Sequence, residues 1–532
     1  MGQTDQKVVT GKGSADFCLT AKKHGRSLLV LPLAFYLLII VKNGWLSDDS
    51  YITLRVVYNF IHGYGLTWNT DERVQAYTNP LWMFCLSLVY FFTHEAYYST
   101  LILSIAISFI AVALLSFYLA RSTLLAILGI LALAASKSFV DFSTSGLENP
   151  LSYLLIVVFM IVFYRTRGKK QSLWWLALIA CLATLNRMDT FLLFLPTLIV
   201  VFCQFPGWKS VRAVVLGFAP FICWEMFSLC YYGFLFPNTA YAKLDTGISS
   251  VQLLWQGIGY LISSLTFDPL IFGVMGASVV LLLQQRAWKD LPILLGMGLY
   301  LLYTVKVGGD FMAGRFLTEP FLIAVILLVH TTFPVSKSNI ILAVAIVLPF
   351  VLAIPNSRWY PLIKYNVLID QRGVADEHDF YVNETGILNV LHNGLWSNSR
   401  MVEDALQIKQ SGQKVVVCYS IGIFGFTVGP SVHVVDRWAL SDPLLARLPT
   451  QPRWRIGHFE RAIPAGYIET LESGKNVIRD KQLALYYSKL QEVTRGPLFD
   501  IQRWIDIWEL NTGAYNYLLD PCLSTFCPSK TL

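Results

Sequence analysis

Eleven apolar runs punctuate the first two thirds of this chain, at 27–42, 99–120, 122–138, 150–165, 172–187, 189–204, 212–233, 268–285, 291–306, 317–333 and 338–354. A hydrocarbon core of ~30 Å is crossed by about twenty helical residues, so these runs predict a polytopic α-helical membrane protein. Composition agrees. With 55% apolar and only 14% charged residues among 532, and a mean hydropathy of +0.53, too little polar surface is left for a soluble globule of this size.

Two further stretches, 79–93 and 252–266, are ambiguous, and the basic residues decide how they are treated. If both lie along the interface, then Arg121, Arg165–Lys170, Lys209 with Arg212, Arg286 with Lys289, and Lys337 all face the cytoplasm. Counting 79–93 as a span would put Arg165–Lys170 outside. Lys7, Lys12, Lys22, Lys23 and Arg26 precede the first run, so the net charge of +7 is a topogenic excess and not a nucleic-acid patch. Residues 1–26 contain no apolar core ending in a small-residue cleavage site, so the first run reads as a retained helix.

The expected organisation has three parts: a cytoplasmic tail at 1–26, a transmembrane core at 27–355 with a first outer loop at 43–98, and a soluble domain at 356–532. In the last part charges, Trp and polar residues rise. Its β-branched runs Lys414–Tyr419 and Val432–Val435, with helical character at 468–491, predict a small α/β domain on the outer face. Gly422 and Gly425 resemble a fragment of a dinucleotide loop without the rest of its glycine pattern. Cys85, Cys181, Cys203, Cys223 and Cys230 fall singly in apolar runs and read as small buried residues. Cys522 and Cys527 lie close together in a polar tail, where an extracytoplasmic location permits a disulfide.

The same topology sends the unusual polar residues to the outer face. The first loop carries Asp48, Asp49, Tyr51, Arg55, Asn59, His62, Asn69, Glu72, Arg73, Gln75, Tyr77, Thr78 and Asn79. Later segments add Asp141, Thr144, Ser145 and Glu148; Asn186, Arg187 and Asp189; Asn238, Tyr241 and Lys243; and Gly308, Gly309, Asp310 and Arg315. Bland readings stand beside the functional ones. Arg187 with Asp189 is equally a structural ion pair across a helix break, Gly308-Gly309 a tight turn, Pro237-Asn238 a helix end, and His62 a surface histidine. Asp48-Asp49 is harder to dismiss, because an N-cap needs one carboxylate and adjacent charges beside a bilayer are costly. No metal-ligand spacing is recognisable, so an oxygen-ligated divalent cation stays open but unsupported, and no cofactor is assigned.

Carboxylates and cations at an outer membrane face, with no nucleotide loop, suit transfer of a sugar from a polyprenyl-phosphate carrier. A carboxylate takes the proton of the acceptor hydroxyl, and Arg or Lys stabilises the departing phosphate.

Several strings also carry a resemblance: Asp48-Asp49-Ser50-Tyr51-Ile52-Thr53-Leu54-Arg55, Gly63-Tyr64-Gly65-Leu66-Thr67-Trp68-Asn69 and Glu72-Arg73-Val74-Gln75-Ala76-Tyr77-Thr78-Asn79-Pro80-Leu81-Trp82. Ser145-Gly146-Leu147-Glu148, Asn186-Arg187-Met188-Asp189, Pro237-Asn238-Thr239-Ala240-Tyr241-Ala242-Lys243, Gly308-Gly309-Asp310-Phe311-Met312 and Arg315-Phe316 follow in order, then Asp436, Leu440, Asp442 and Gly457-His458. Together they resemble the bacterial GT-C membrane glycosyltransferases related to the mycobacterial terminal β-arabinofuranosyltransferase, and the similar transferases that arabinosylate type IV pilin. The resemblance implies a GT-C core with interfacial helices in the first outer loop and an extracytoplasmic C-terminal domain. It also implies a polyprenyl-phosphate arabinofuranose donor and a catalytic carboxylate at Asp48 or Asp49. Gln75, where the family often has Glu, and Met188, where it often has Pro, are departures that bear on sugar or acceptor choice.

The expected roles are Asp48 or Asp49 as general base, Arg73, Arg187, Lys243 and Arg315 as ligands of the donor phosphate, and Tyr51, Arg55, Tyr77, Asn79, Glu148, Asn238 and Asp310 around sugar and acceptor. The expected acceptor is pilin or a glycan at the outer face of a bacterial inner membrane. A polymerase or ligase of lipid-linked oligosaccharide is the nearest rival. A flippase or transporter would instead place its charges near the midplane in matched halves.

Overall fold

The computed structural model describes residues 27–244, 246–331, 358, 368–397 and 399–519. The tail 1–26, the run 338–354, the boundary at 355 and the Cys522/Cys527 pair lie outside the described residues.

Among the described residues the chain is mostly helical, and the apolar runs that fall there form helices. Two described helices, Tyr97–Leu119 and Asn149–Thr166, are long and apolar enough to cross a membrane, and up to four if each of two bent pairs counts as one span. The pairs are Trp208–Gly217 with Ala219–Tyr231, bent by 54°, and Ser250–Phe267 with Pro269–Gln284, bent by 104°. Local chemistry explains the breaks. Pro220 and Pro269 each sit in a first helical turn, where a missing N–H costs nothing, and the residue before a proline resists helical geometry. The 122–138 run is cut at Ser136, whose hydroxyl caps the short Lys137–Phe142 helix by accepting from the Phe139 N–H at 3.2 Å.

Both ambiguous stretches are helical. Pro80–Thr93 has 14 residues and therefore reaches about 21 Å, short of a hydrocarbon core. The Thr318–His330 helix is buried through Val329, apolar on every side, with neighbours including Asn149–Thr166 and Pro269–Gln284. One cysteine expectation fails: Cys203 and Cys223 are exposed, because a helix that is apolar all round also carries small apolar residues on its outward face.

The two expected strands form. Val415–Cys418 pairs in parallel with His433–Asp436, Val415 opposite His433, and the Ile421–Val428 helix connects them. The 468–491 region forms the Tyr467–Ser473 and Lys481–Arg495 helices. This region does not stand apart from the first loop. The Ile421–Val428 helix packs along Asp48–Ile61, and two glycines explain how. A Cβ on Gly422 would stand 1.8 Å from the Asp48 carbonyl oxygen, and one on Gly425 would stand 2.6 Å from the Trp68 ring. The glycine pair, which lacks the rest of a dinucleotide-loop pattern, is a helix–helix contact surface.

Candidate active site

Ser47 begins the geometry. It is the N-cap of the Asp48–Ile61 helix, in extended conformation, its hydroxyl accepting from the Ser50 N–H at 3.3 Å. Asp48 and Asp49 thus occupy a first turn, where the helix dipole favours negative charge. Successive helical residues point about 100° apart, so the two carboxylates face different surroundings.

Asp48 turns to the C-terminal segment. Its carboxylate accepts from the N–H of Ile423 at 2.7 Å and of Gly422 at 3.2 Å, at the start of the Ile421–Val428 helix. Burial raises this carboxyl to about 7, although those two N–H groups favour its ionised form.

Asp49 turns the other way and is only partly buried. Among the described residues its carboxylate makes no hydrogen bond or ion pair. It faces Lys243 and Arg315, which favour its charge, and Asp310 and Glu148, which oppose it; burial prevails and raises its pKa. Lys243 likewise forms no ion pair among the described residues, its ammonium lying 5.7 Å from the Phe311 ring centroid. An uncommitted carboxylate and an uncommitted ammonium therefore share one site.

Behind them lies a paired charge cluster. Arg315 reaches Glu148 at 2.8 Å and Asp310 at 3.5 Å, and Asn79 donates to the second Glu148 oxygen at 3.1 Å. Burial pushes the Glu148 carboxyl up, but Arg315 and Arg187 hold it below its ordinary value. Arg187 grips Asp189 through two 2.8 Å hydrogen bonds, reaches Glu319 at 3.2 Å and stands 3.9 Å from Glu148, so the structural ion pair is present and it also backs the site.

Other expected ligands are engaged elsewhere. Arg55 donates to the carbonyls of Trp68 at 2.8 Å, Gly425 at 2.6 Å and Val432 at 3.0 Å, joining the first loop to the strand region. Arg73 donates to the carbonyls of Tyr231, Val493 and Gly496. Asn238 donates to the carbonyls of Ala439, Leu440 and Asp442. Tyr51 packs against Trp396 and Phe426, both with centroids at 5.4 Å, and the Tyr77 hydroxyl pairs with that of Tyr232 at 2.9 Å. Buried backbone carbonyls need donors, and Arg55, Arg73 and Asn238 supply them.

Two functional candidates escaped the sequence reading. Glu377 carries a carboxyl raised well above its ordinary value by burial and by Asp49, with Arg455 opposing the shift. Its position within the acidic run 376–379 was visible, but its proximity to residue 49 was not. The neighbouring Asp376, His378 and Asp379 present three ligand atoms within 4.8 Å of one another. Two cations already occupy them, since Lys137 meets Asp376 at 2.6 Å and Arg358, shared with Asp141, meets Asp376 at 3.2 Å and Asp379 at 2.5 Å.

Fold and site together define a helical protein with long apolar helices and an acid-and-cation centre built jointly by its first loop, its core and its C-terminal segment. Such a chain resembles the terminal β-(1→2)-arabinofuranosyltransferases. It is 26% identical to that of Corynebacterium glutamicum over 509 residues, covering 78% of this chain and 72% of the relative. It is 26% identical to that of Mycobacterium tuberculosis over 515 residues, covering 79% and 81%. No family model matches the chain, and no solved structure matches it.

Proposed function

We propose that this protein is a GT-C membrane glycosyltransferase. It moves a sugar, arabinofuranose by its relatives, from a polyprenyl-phosphate donor to a hydroxyl of a pilin or glycan acceptor at the outer face of the bacterial inner membrane. The single observation that carries the reading is that Asp49 and Lys243, neither in an ion pair among the described residues, face one site with the Glu148–Arg315–Asp310 cluster. Supporting it, all five polar segments expected on one membrane face contribute to this centre: Asp49 and Asn79, Glu148, Arg187, Lys243, and Asp310 with Arg315.

In this reading Asp49 removes the proton of the acceptor hydroxyl as its oxygen attacks the anomeric carbon. The bond from that carbon to the phosphate oxygen breaks, and the phosphate leaves with the electron pair. Lys243 and Arg315 meet the charge that develops there, while a raised Asp49 pKa makes its carboxylate a stronger base. Asp48 is a positioning residue that fixes the Asp49 turn against the Ile421–Val428 helix.

The test is transfer by purified protein in lipid nanodiscs, from polyprenyl-phosphate arabinofuranose to candidate acceptors. Asp49→Asn should lower the rate by about 10²–10⁴-fold with unchanged thermal stability. Asp48→Asn should retain transfer and lose about 0.5–2 kcal/mol of stability, as loss of a helix cap does. Full activity in Asp49→Asn overturns the reading.

A further inference from the structure

A second concave site opens on the C-terminal segment, between the end of the first strand, the turn after the second strand and residues 452–460. Its volume is about 580 Å³, within the ~300–1,000 Å³ range of small-ligand sites. Tyr419, Trp438, Trp454, Arg453, Arg455 and Glu460 line it. We propose that this groove binds a neutral saccharide chain, the acceptor, with Trp438 and Trp454 as stacking platforms and the polar rim as hydroxyl ligands.

The lining suits that chemistry. The C–H face of a furanose or pyranose is apolar and covers an aromatic ring, while its equatorial edge presents hydroxyls to fixed donors and acceptors. Arg437 pairs with Glu460 and donates to the Tyr419 hydroxyl at 2.5 Å, and Arg455 faces Glu377. Glu460 and Arg455 thus each have an opposite charge beside them, while Arg453 makes no ion pair among the described residues; a single unmatched cation favours a neutral ligand over a polyanion. Arg455 donates through Nε to the Gly373 carbonyl at 2.7 Å, but its buried Nη2 has no hydrogen-bond partner among the described residues.

The Trp438 platform is held rigidly. The next residue, Ala439, is fully buried in the left-handed region at φ 63°, a conformation an alanine keeps only where its surroundings impose it. They do so here. Asp436 accepts from the N–H groups of Trp438, Leu440 and Ser441, and Asn238 holds the Ala439 carbonyl at 2.9 Å.

The groove also adjoins the reaction centre. His458 stands edge-on between Trp438 and Phe311, with centroids at 4.2 and 4.5 Å, and Phe311 follows Asp310 in the loop that carries Arg315. Gly457 makes this approach feasible: its φ is +74°, and a Cβ there would lie 2.5 Å from the Phe311 ring. One wall thus separates the groove from Asp310 and Lys243. Trp438 and Asp310 stand on opposite sides of the His458–Phe311 wall.

This inference rests on the proposed transferase reading for its choice of acceptor, and the experiment separates the two. Full-length protein in nanodiscs, without donor, is titrated with arabino-oligosaccharides of two to six units, followed by tryptophan fluorescence and calorimetry. Wild type and Asp49→Asn should bind alike and with little salt dependence. Trp438→Ala and Trp454→Ala should each weaken binding at least tenfold, Trp438→Phe should restore part of it, and with donor present Trp438→Ala should raise the acceptor KM more than it lowers kcat. The exposed-side variants Tyr419→Ala and Arg453→Ala, which leave the buried Ala439 turn untouched, should weaken binding several-fold while thermal unfolding stays as in wild type. Oligosaccharide binding unchanged in all four truncated variants overturns the groove, whether or not transfer occurs. Binding that depends on Trp438 in a protein showing no transfer upholds the groove and removes the transferase reading.

Discussion

Gly422 lies so close to Asp48 that any β-carbon there would fall 1.8 Å from the Asp48 carbonyl oxygen and 2.8 Å from its carboxyl carbon. The absence of a side chain brings the N-terminus of one helix onto the first turn of another and lets the Asp48 carboxylate receive two N–H groups. Gly422→Ala should therefore push the Ile421–Val428 helix off the Asp48-Asp49 turn, at a cost of about 1–3 kcal/mol or more because the obstacle is backbone. Thermal unfolding in nanodiscs measures the loss, and transfer should fall with it. A variant as stable and active as wild type would show that this contact is dispensable.

The acid limb of the rate profile should report Asp49. A general base works when deprotonated, so kcat/KM should fall as pH drops through an apparent pKa above the ordinary carboxylate value of 3.8. Lys243 and Arg315 favour the ionised form, and Asp310 disfavours it. Lys243→Met should then move the limb to higher pH, and Asp310→Asn to lower pH. Limbs that stay fixed in both variants would assign the titration to another group.

His433 joins strand and first loop. It meets Asp71 at 2.9 Å, with Glu72 at 3.9 Å and Arg495 close by on the Lys481–Arg495 helix. Burial lowers its pKa, but Asp71 and Glu72 raise it above 6.5 overall, while His433 and Arg495 overcome burial to bring Asp71 to about 2. A raised imidazole contributes stability that is complete below 6.5 and disappears as pH rises through the raised value. A lowered carboxylate contributes stability that is complete above 3.8 and disappears as pH falls through about 2. Thermal stability should thus be greatest near pH 4–6.5 and decline above it. His433→Gln should flatten that alkaline decline, and an identical slope in wild type and variant would remove His433 from the account.

Arg315→Lys should be far from conservative. One guanidinium spans Glu148 and Asp310, and an ammonium has only a point of contact to offer. Losing one charged hydrogen bond is worth about 1.5–3 kcal/mol, roughly a ten- to hundredfold fall in kcat/KM. Steady-state kinetics against donor concentration reads it directly, and a change below twofold would show that Arg315 bridges nothing of consequence.

What the chain's order of residues determined by itself were the features with local causes. Apolar runs became helices, β-branched runs 414–419 and 432–435 became strands, and Pro220, Pro269 and Ser136 set the breaks. The acidic doublet, Glu148, Asp310, Lys243 and Arg315 were legible as a set because charged groups are sparse in so apolar a chain. Only the tertiary structure decided which of them remain uncommitted. Asp48 and Asp49 are neighbours, yet the 100° between them points one at an N–H pair 374 and 375 residues away and leaves the other open. Arg55, Arg73 and Asn238 read as ligands in one dimension and prove to serve backbone carbonyls that arrive from distant segments. Glu377 comes to face Asp49 by the same long closure. Periodicity and propensity act over a few residues, whereas a buried polar group takes whichever partner the packed chain delivers, and nothing nearby in sequence records which that is.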